Sequence, residues 1–260
     1  MICRGIIFPG WRENLEHAFT RAVETAAKGG IEGVEAVAGI PDAIGPKRYG
    51  EILSDNGMVP SSLHVAVVYE NRPELAAAKE MMMRYGEKTR EAKAPNLVCS
   101  WVCTGHALGA GDFAAARELY EECGAILKKD GVRLLYHNHA AEFEGGAGDA
   151  FVEEFSKANG QNFAFAMDIG WAAWAGYDIK KLADGCGRLM GYLHLRDFAG
   201  RNFTAVGQGE NDIAAHISQI KAKTDIGWIG VEITIGEDAW QEGRDEPIIR
   251  LSTEGLRKLI

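Results

Sequence analysis

Positive charge is scarce in this chain. Its 28 Lys and Arg stand against 37 Asp and Glu, a formal net charge of -9. That balance opposes nonspecific attraction to a nucleic-acid backbone or an anionic membrane. It leaves room for a local basic pocket around a small anion. No stretch approaches the roughly 20 apolar residues of a membrane span. The apolar opening Ile6-Ile7-Phe8 is too short for a signal peptide and has no basic leader, so a cytoplasmic protein is expected. Cysteine is sparse and odd in number. Cys3, Cys99, Cys103, Cys123 and Cys186 form neither a disulfide framework nor a zinc-knuckle spacing, and reduced, mostly buried thiols are expected. There is no Pro-rich linker, no low-complexity tract and no Gly-x-Gly-x-x-Gly opening a first helix, which weakens a dinucleotide-binding reading.

What the chain has is alternation. Short apolar runs near 2–8, 33–38, 60–67, 96–102, 132–138, 163–168, 190–195 and 228–233 read as strands. Amphipathic segments near 13–28, 44–56, 73–92, 112–129, 147–158, 178–187, 211–222 and 246–259 read as helices, the fourth with Asp112 capping its first turn. Eight strand–helix units of about 32 residues each (260 divided by eight) suit one α/β domain spanning 1–260, a (β/α)8 TIM barrel. A hydrophobic fraction of 47% is ordinary for a globular protein, and this length buries a core without disulfides.

Several strands end on ionisable residues. The third reads Leu63-His64-Val65 and the fifth Tyr136-His137-Asn138-His139. The sixth ends Met167-Asp168, the seventh His194-Leu195-Arg196-Asp197, the eighth Val231-Glu232-Ile233. A barrel brings such ends to one mouth whatever their separation in sequence. His, Asp, His and Glu from four late strands then share a cavity, and clustered buried charges persist when they pair or coordinate a cation. Taken singly, each has an ordinary explanation: a satisfied strand histidine, a helix-capping Asp168, a Glu232 paired to arginine. Taken together, they point to a divalent metal.

The segments Tyr136-His137-Asn138-His139-Ala140-Ala141-Glu142-Phe143, Met167-Asp168-Ile169-Gly170-Trp171, His194-Leu195-Arg196-Asp197, Val206-Gly207-Gln208-Gly209-Glu210-Asn211-Asp212 and Val231-Glu232-Ile233 resemble the xylose isomerase-like barrel superfamily. The likeness runs in order along nearly the whole chain. Within the superfamily it is similar to sugar phosphate isomerases/epimerases, with inosose dehydratases as near relatives. The resemblance implies a mononuclear site with one ligand from each of strands five to eight: His137, Asp168, His194 and Glu232. It also implies a departure, because epimerases of this kind typically offer glutamate where His137 stands. That puts their two-glutamate mechanism in doubt and makes His139 and Glu142 the reserve ligand and reserve base. Nuclease relatives need a histidine three positions after the aspartate, and here Trp171 occupies that place.

Two imidazoles and two carboxylates suit manganese, zinc, cobalt or iron(II) better than magnesium. Such a metal stabilises an enediolate, the intermediate from which isomerisation, epimerisation or elimination proceeds. The expected activity is a sugar isomerase/epimerase of carbohydrate metabolism acting on a keto sugar or sugar phosphate. The alternatives are a dehydratase or lyase on an inosose-like keto-polyol or 3-keto sugar, and a non-catalytic sugar-binding barrel. Glu232 or a histidine of the His137/His139 pair is the expected base, and Asp197 the expected partner orienting His194 or a neighbouring strand end. Glu35, His64, Trp171, Arg196 and Arg201 are the expected substrate contacts, with a structural hydrogen-bonding role the equal alternative for Glu35. The substrate is a small sugar or polyol. Oligomeric state is open, although barrels of this kind often pair through exposed helix or loop faces.

Overall fold

The computed structural model describes residues 2–4, 11–69, 75–103, 106–232 and 245–259. In chain order the elements are β1 (Ile2–Arg4), α1 (Trp11–Lys28), β2 (Gly33–Val37), α2 (Gly39–Ile44), α3 (Pro46–Asp55), β3 (Val59–Tyr69), α4 (Leu75–Glu91), β4 (Asn96–Cys103), α5 (Ala110–Leu127) and β5 (Arg133–His137). There follow α6 (Ala147–Phe155), β6 (Phe163–Asp168), α7 (Ile169–Trp174), α8 (Ile179–Cys186), β7 (Tyr192–Leu195), β8 (Asp197–Ala199), β9 (Asn202–Thr204), α9 (Ile213–Lys221), β10 (Trp228–Glu232) and α10 (Asp245–Leu259).

Eight parallel strands close a barrel in the order β1-β2-β3-β4-β5-β6-β7-β10, and β10 pairs back onto β1 through Ile2↔Gly230 and Arg4↔Glu232. The expected (β/α)8 barrel is therefore observed. Strand periodicity sorts the side chains: residues i and i+2 share a face. Val98, Leu135, Ala164, Ala166 and Tyr192 make the apolar cluster inside the barrel, with Trp228 packed on it. The alternate residues Leu97, Leu134, Tyr136, Phe163, Phe165 and Leu193 belong to the larger core between strands and helices. α5 shows why the helices dock there. Phe113, Ala116, Tyr120, Cys123 and Leu127 recur at helical spacing and are all buried.

Some boundaries differ from those read in the sequence. The segment 44–56 holds the end of α2 and all of α3, broken at Gly45 (φ 86°) with Pro46 opening the second helix. α5 starts two residues earlier than expected, at Ala110. Asp112 lies in its first turn and its Oδ2 accepts from the Gly109 N–H at 3.0 Å. Positions 5–8, 73–74 and 233 of the expected elements lie outside the described residues. Cys99, Cys123 and Cys186 are free and buried. Among the described residues no helix is long and apolar enough to cross a membrane.

Candidate metal centre at the barrel mouth

Strand register assembles the site. Asp168 pairs directly with His194 across β6 and β7, His194 with Gly230 of β10, and His137 with Ser100 of β4. Each ionisable group sits two residues beyond an inward-facing barrel residue: His137 past Leu135, Asp168 past Ala166, His194 past Tyr192, Glu232 past Gly230. The imidazole nitrogens of His137 and His194 and the carboxylate oxygens of Asp168 and Glu232 converge, all within 4.8 Å of one another. His137, Asp168 and His194 are fully buried, and Glu232 is half-buried.

Both imidazoles are held in a fixed tautomer. His194 donates from Nε2 to Glu35 Oε2 at 3.0 Å, which leaves Nδ1 facing Glu232 Oε2 at 3.2 Å. His137 donates from Nδ1 to the Ala166 carbonyl at 3.3 Å, which leaves Nε2 toward Glu232 Oε2 at 3.9 Å. A lone pair on each ring thus faces the centre, as a metal ligand requires. Arg196, on the same inward face two residues past His194, reaches Asp168 Oδ2 at 3.2 Å and Glu232 Oε1 at 2.7 Å. Burial pushes the Asp168 carboxyl up, the Arg196 guanidinium works against that shift, and the charge on Glu232 reinforces it. Asp168 also caps α7, accepting the Trp171 N–H at 2.9 Å. The chain there passes so close to β7 that a Cβ on Gly170 would come within 2.5 Å of Arg196 Cβ.

Beneath these four residues lies a second polar layer. Glu35 is wholly buried. Its Oε2 accepts from Ser62 Oγ at 2.8 Å and Tyr192 OH at 2.7 Å as well as from His194, and its Oε1 accepts from His64 Nδ1 at 2.9 Å. His64 Nε2 meets the Ser100 hydroxyl. Glu35 has the structural hydrogen-bonding surroundings that were the alternative to a substrate contact, and His64, expected to touch substrate, is packed beside it among protein donors and acceptors. Arg196 likewise faces the two carboxylates.

Asp197 was expected to orient His194 or a neighbouring strand end; His194 is bonded by Glu35, and Asp197 by a loop. Three positions beyond His194, Asp197 lies on the other face of the chain. There it accepts from the backbone N–H groups of Gly207 (2.8 Å), Gly209 (2.9 Å) and Asn211 (3.3 Å) and holds that loop shut. Gly209 is needed in this loop, because a Cβ there would lie 2.2 Å from Asp197 Oδ1.

Glu142 accepts from Tyr136 OH at 3.1 Å and the His139 N–H at 3.0 Å, and burial pushes its carboxyl up to about 8. His139 is half-buried, its ring 5.1 Å from that of His137 and 6.1 Å from that of Trp171. Trp171 continues into an aromatic wall with Trp174 and Phe203, and Arg201, exposed in the β8–β9 turn, lies over Trp174 at 5.4 Å.

The sequence reading missed Ser62, Ser100, Tyr192 and Asn138. The signal for Ser62 and Tyr192 was positional, since each precedes a mouth histidine by two residues. Asn138 ties β5 to β6, donating from Nδ2 to the Asp168 carbonyl at 3.0 Å and accepting the Asp168 N–H at 2.9 Å.

The family model for the xylose isomerase-like TIM barrel matches residues 23–250. The chain belongs to that family. Among solved structures, a sugar phosphate isomerase/epimerase from Parabacteroides distasonis aligns with TM-score 0.77 and 18% identity, covering 99% of this chain and 93% of that one. The IolI protein with a bound zinc atom aligns with TM-score 0.80 and 16% identity, covering 99% and 97%. The probable 3-DHS dehydratase AsbF of Bacillus anthracis aligns with TM-score 0.70 and 11% identity, covering 98% of each chain. At these identities the likeness shows the shared fold. No curated protein matches the sequence.

Proposed function

We propose that this family member is a divalent-metal-dependent sugar isomerase/epimerase acting on a keto sugar or sugar phosphate. The observation that carries the reading is the convergence of His137, Asp168, His194 and Glu232 within 4.8 Å, with both imidazole lone pairs directed inward. The donor set fits a borderline cation such as manganese, zinc, cobalt or iron(II), and the IolI neighbour binds zinc. When bound, the cation supplies Lewis-acid stabilisation of the negative charge that a keto sugar develops as its adjacent carbon loses a proton.

The chain's own residues would divide the remaining work. Glu35 and the Ala166 carbonyl fix the ligand tautomers. Glu232 has one oxygen taken by Arg196, so we assign proton transfer first to His139, whose ring stands at the rim between His137 and Trp171. Trp171 would offer its face to the C–H side of the sugar, and Arg201 would meet a phosphate if the substrate carries one.

A second reading, a dehydratase or lyase on a keto-polyol, is favoured by His137 in the place of a glutamate and by the AsbF neighbour. Incubation of metal-loaded protein with candidate ketoses and inososes in deuterated water separates the two. Solvent deuterium in a product of unchanged formula supports the isomerase, and a product lighter by one water supports the lyase. Normal metal content in both His194→Ala and Glu232→Ala would overturn the ligand assignment.

A further inference from the structure

Arg196 is placed where a fixed cation has consequences for the metal. It is 3% exposed, its guanidinium stacks 4.6 Å from the Trp171 ring centre and 4.8 Å from that of Phe203, and Gly170 is packed against its Cβ. These contacts pin the side chain. Its hydrogen bonds take one oxygen from each carboxylate, Oδ2 of Asp168 and Oε1 of Glu232. The other Glu232 oxygen is the one that faces the two imidazoles. Glu232 is thus divided between two roles, one oxygen to the guanidinium and one toward the imidazoles, while Asp168 gives Oδ2 to the guanidinium and Oδ1 to the Trp171 N–H.

We infer that Arg196 is a resident countercation of the metal site, a positioning residue that holds Asp168 and Glu232 at ligand spacing and lowers affinity for the metal in doing so. The inference rests on the metal reading above. Asp168 and Glu232 contribute two negative charges and Arg196 one positive. Without a divalent ion the three sum to minus one rather than minus two, which relieves carboxylate–carboxylate repulsion in a buried place. With the ion present, the guanidinium is a like charge a few ångströms away with little water between, and it opposes binding.

The test compares wild type, Arg196→Met and Arg196→Lys, stripped with a chelator and titrated with zinc against a fluorescent competitor. Thermal unfolding is followed in stripped and loaded states. In Arg196→Met, zinc affinity rises by about tenfold or more, the stripped protein melts below stripped wild type, and zinc raises its Tm by more than it raises that of wild type. Arg196→Lys, a point charge that does not span both acids, shows the same signs at smaller size. It keeps the test decisive if the methionine variant does not fold without zinc. Unchanged or weaker zinc affinity in the folded variants, or equal melting of the stripped proteins, overturns the inference while leaving the metal site intact. Wild type that takes up no zinc overturns the metal reading itself, and this inference with it.

Discussion

Removing Glu35 tests whether the layer beneath the ligands governs the layer above. Its carboxylate is wholly buried and gathers four donors: Ser62, Tyr192, His64 and His194. Glu35→Ala leaves these groups to one another. Ser62 Oγ and Tyr192 OH are 3.1 Å apart and form a bond between themselves, and His64 retains Ser100, so the bonds lost are those of His194 Nε2 and His64 Nδ1 to Glu35. At roughly 1–3 kcal/mol per buried group that loses its bond, the expected loss for the two is about 2–6 kcal/mol in urea unfolding. Glu35→Gln is milder for the fold, because one amide oxygen still accepts, but it removes the charge that makes His194 a better ligand. Metal affinity then falls about 10–100-fold, the usual size of an outer-layer effect, read by competition against a chelating dye. Glu35→Gln with metal affinity within twofold of wild type would refute the claim that the Glu35 charge strengthens His194 as a ligand.

Three further outcomes are expected. His137→Glu, which exchanges one nitrogen for oxygen in the donor set, shifts the zinc-to-magnesium affinity ratio toward magnesium by about tenfold or more, and an unchanged ratio from parallel titrations would remove His137 from the ligands. Glu142 has a folded-state pKa of about 8, above its unfolded value, so the fold binds its proton more tightly and stability contributed by this group is lost as pH rises from about 4.5 to 8. Glu142→Gln abolishes that loss. Its urea midpoint, compared with wild type, should improve from pH 5 to pH 8 by the equivalent of a few kcal/mol, and a pH-independent difference would contradict the burial argument. Asp197→Ala frees the amides of Gly207, Gly209 and Asn211, so amide exchange across 205–211 accelerates by about tenfold or more with metal affinity unchanged. An affinity drop would return Asp197 to the ligand-orienting role first expected of it.

Most of the architecture was legible because two periods alternate in the chain, and the four converging residues were legible because each sits where an apolar strand turns polar. Other features were hidden for reasons specific to their residues. Asp168 was read as either a helix cap or a ligand candidate. It caps Trp171 through Oδ1, bonds Arg196 through Oδ2 and also stands in the cluster. The β8–β9 hairpin carries Phe198 and Phe203 as a facing pair around Gly200-Arg201, a turn signal overlooked because the segment is only eight residues long. Closeness in sequence misled for Asp197, where strand parity and not distance along the chain decides the direction of the side chain. Glu35, 159 positions before His194, was found as a mouth residue but not as its partner, because strand patterns do not report which barrel positions meet across the interior.

The exchange at strand five bears on which proton transfers the mouth can support. A scheme with two carboxylates on opposite substrate faces needs a second ionised acid beside Glu232. The nearest in sequence to His137, Glu142, is 1% exposed, bonded to Tyr136 and to the His139 backbone, and protonated at neutral pH because burial lifts it to about 8. It is therefore suited to fixing the strand-five turn and unsuited to abstracting a proton. Asp168 is held by Arg196, Trp171 and the side chain of Asn138 on its backbone. Among the described residues, His139 brings a further imidazole to the rim, beside His137 and Trp171. A site with one carboxylate and one imidazole available for proton transfer distinguishes the two substrate faces by chemistry as well as by position.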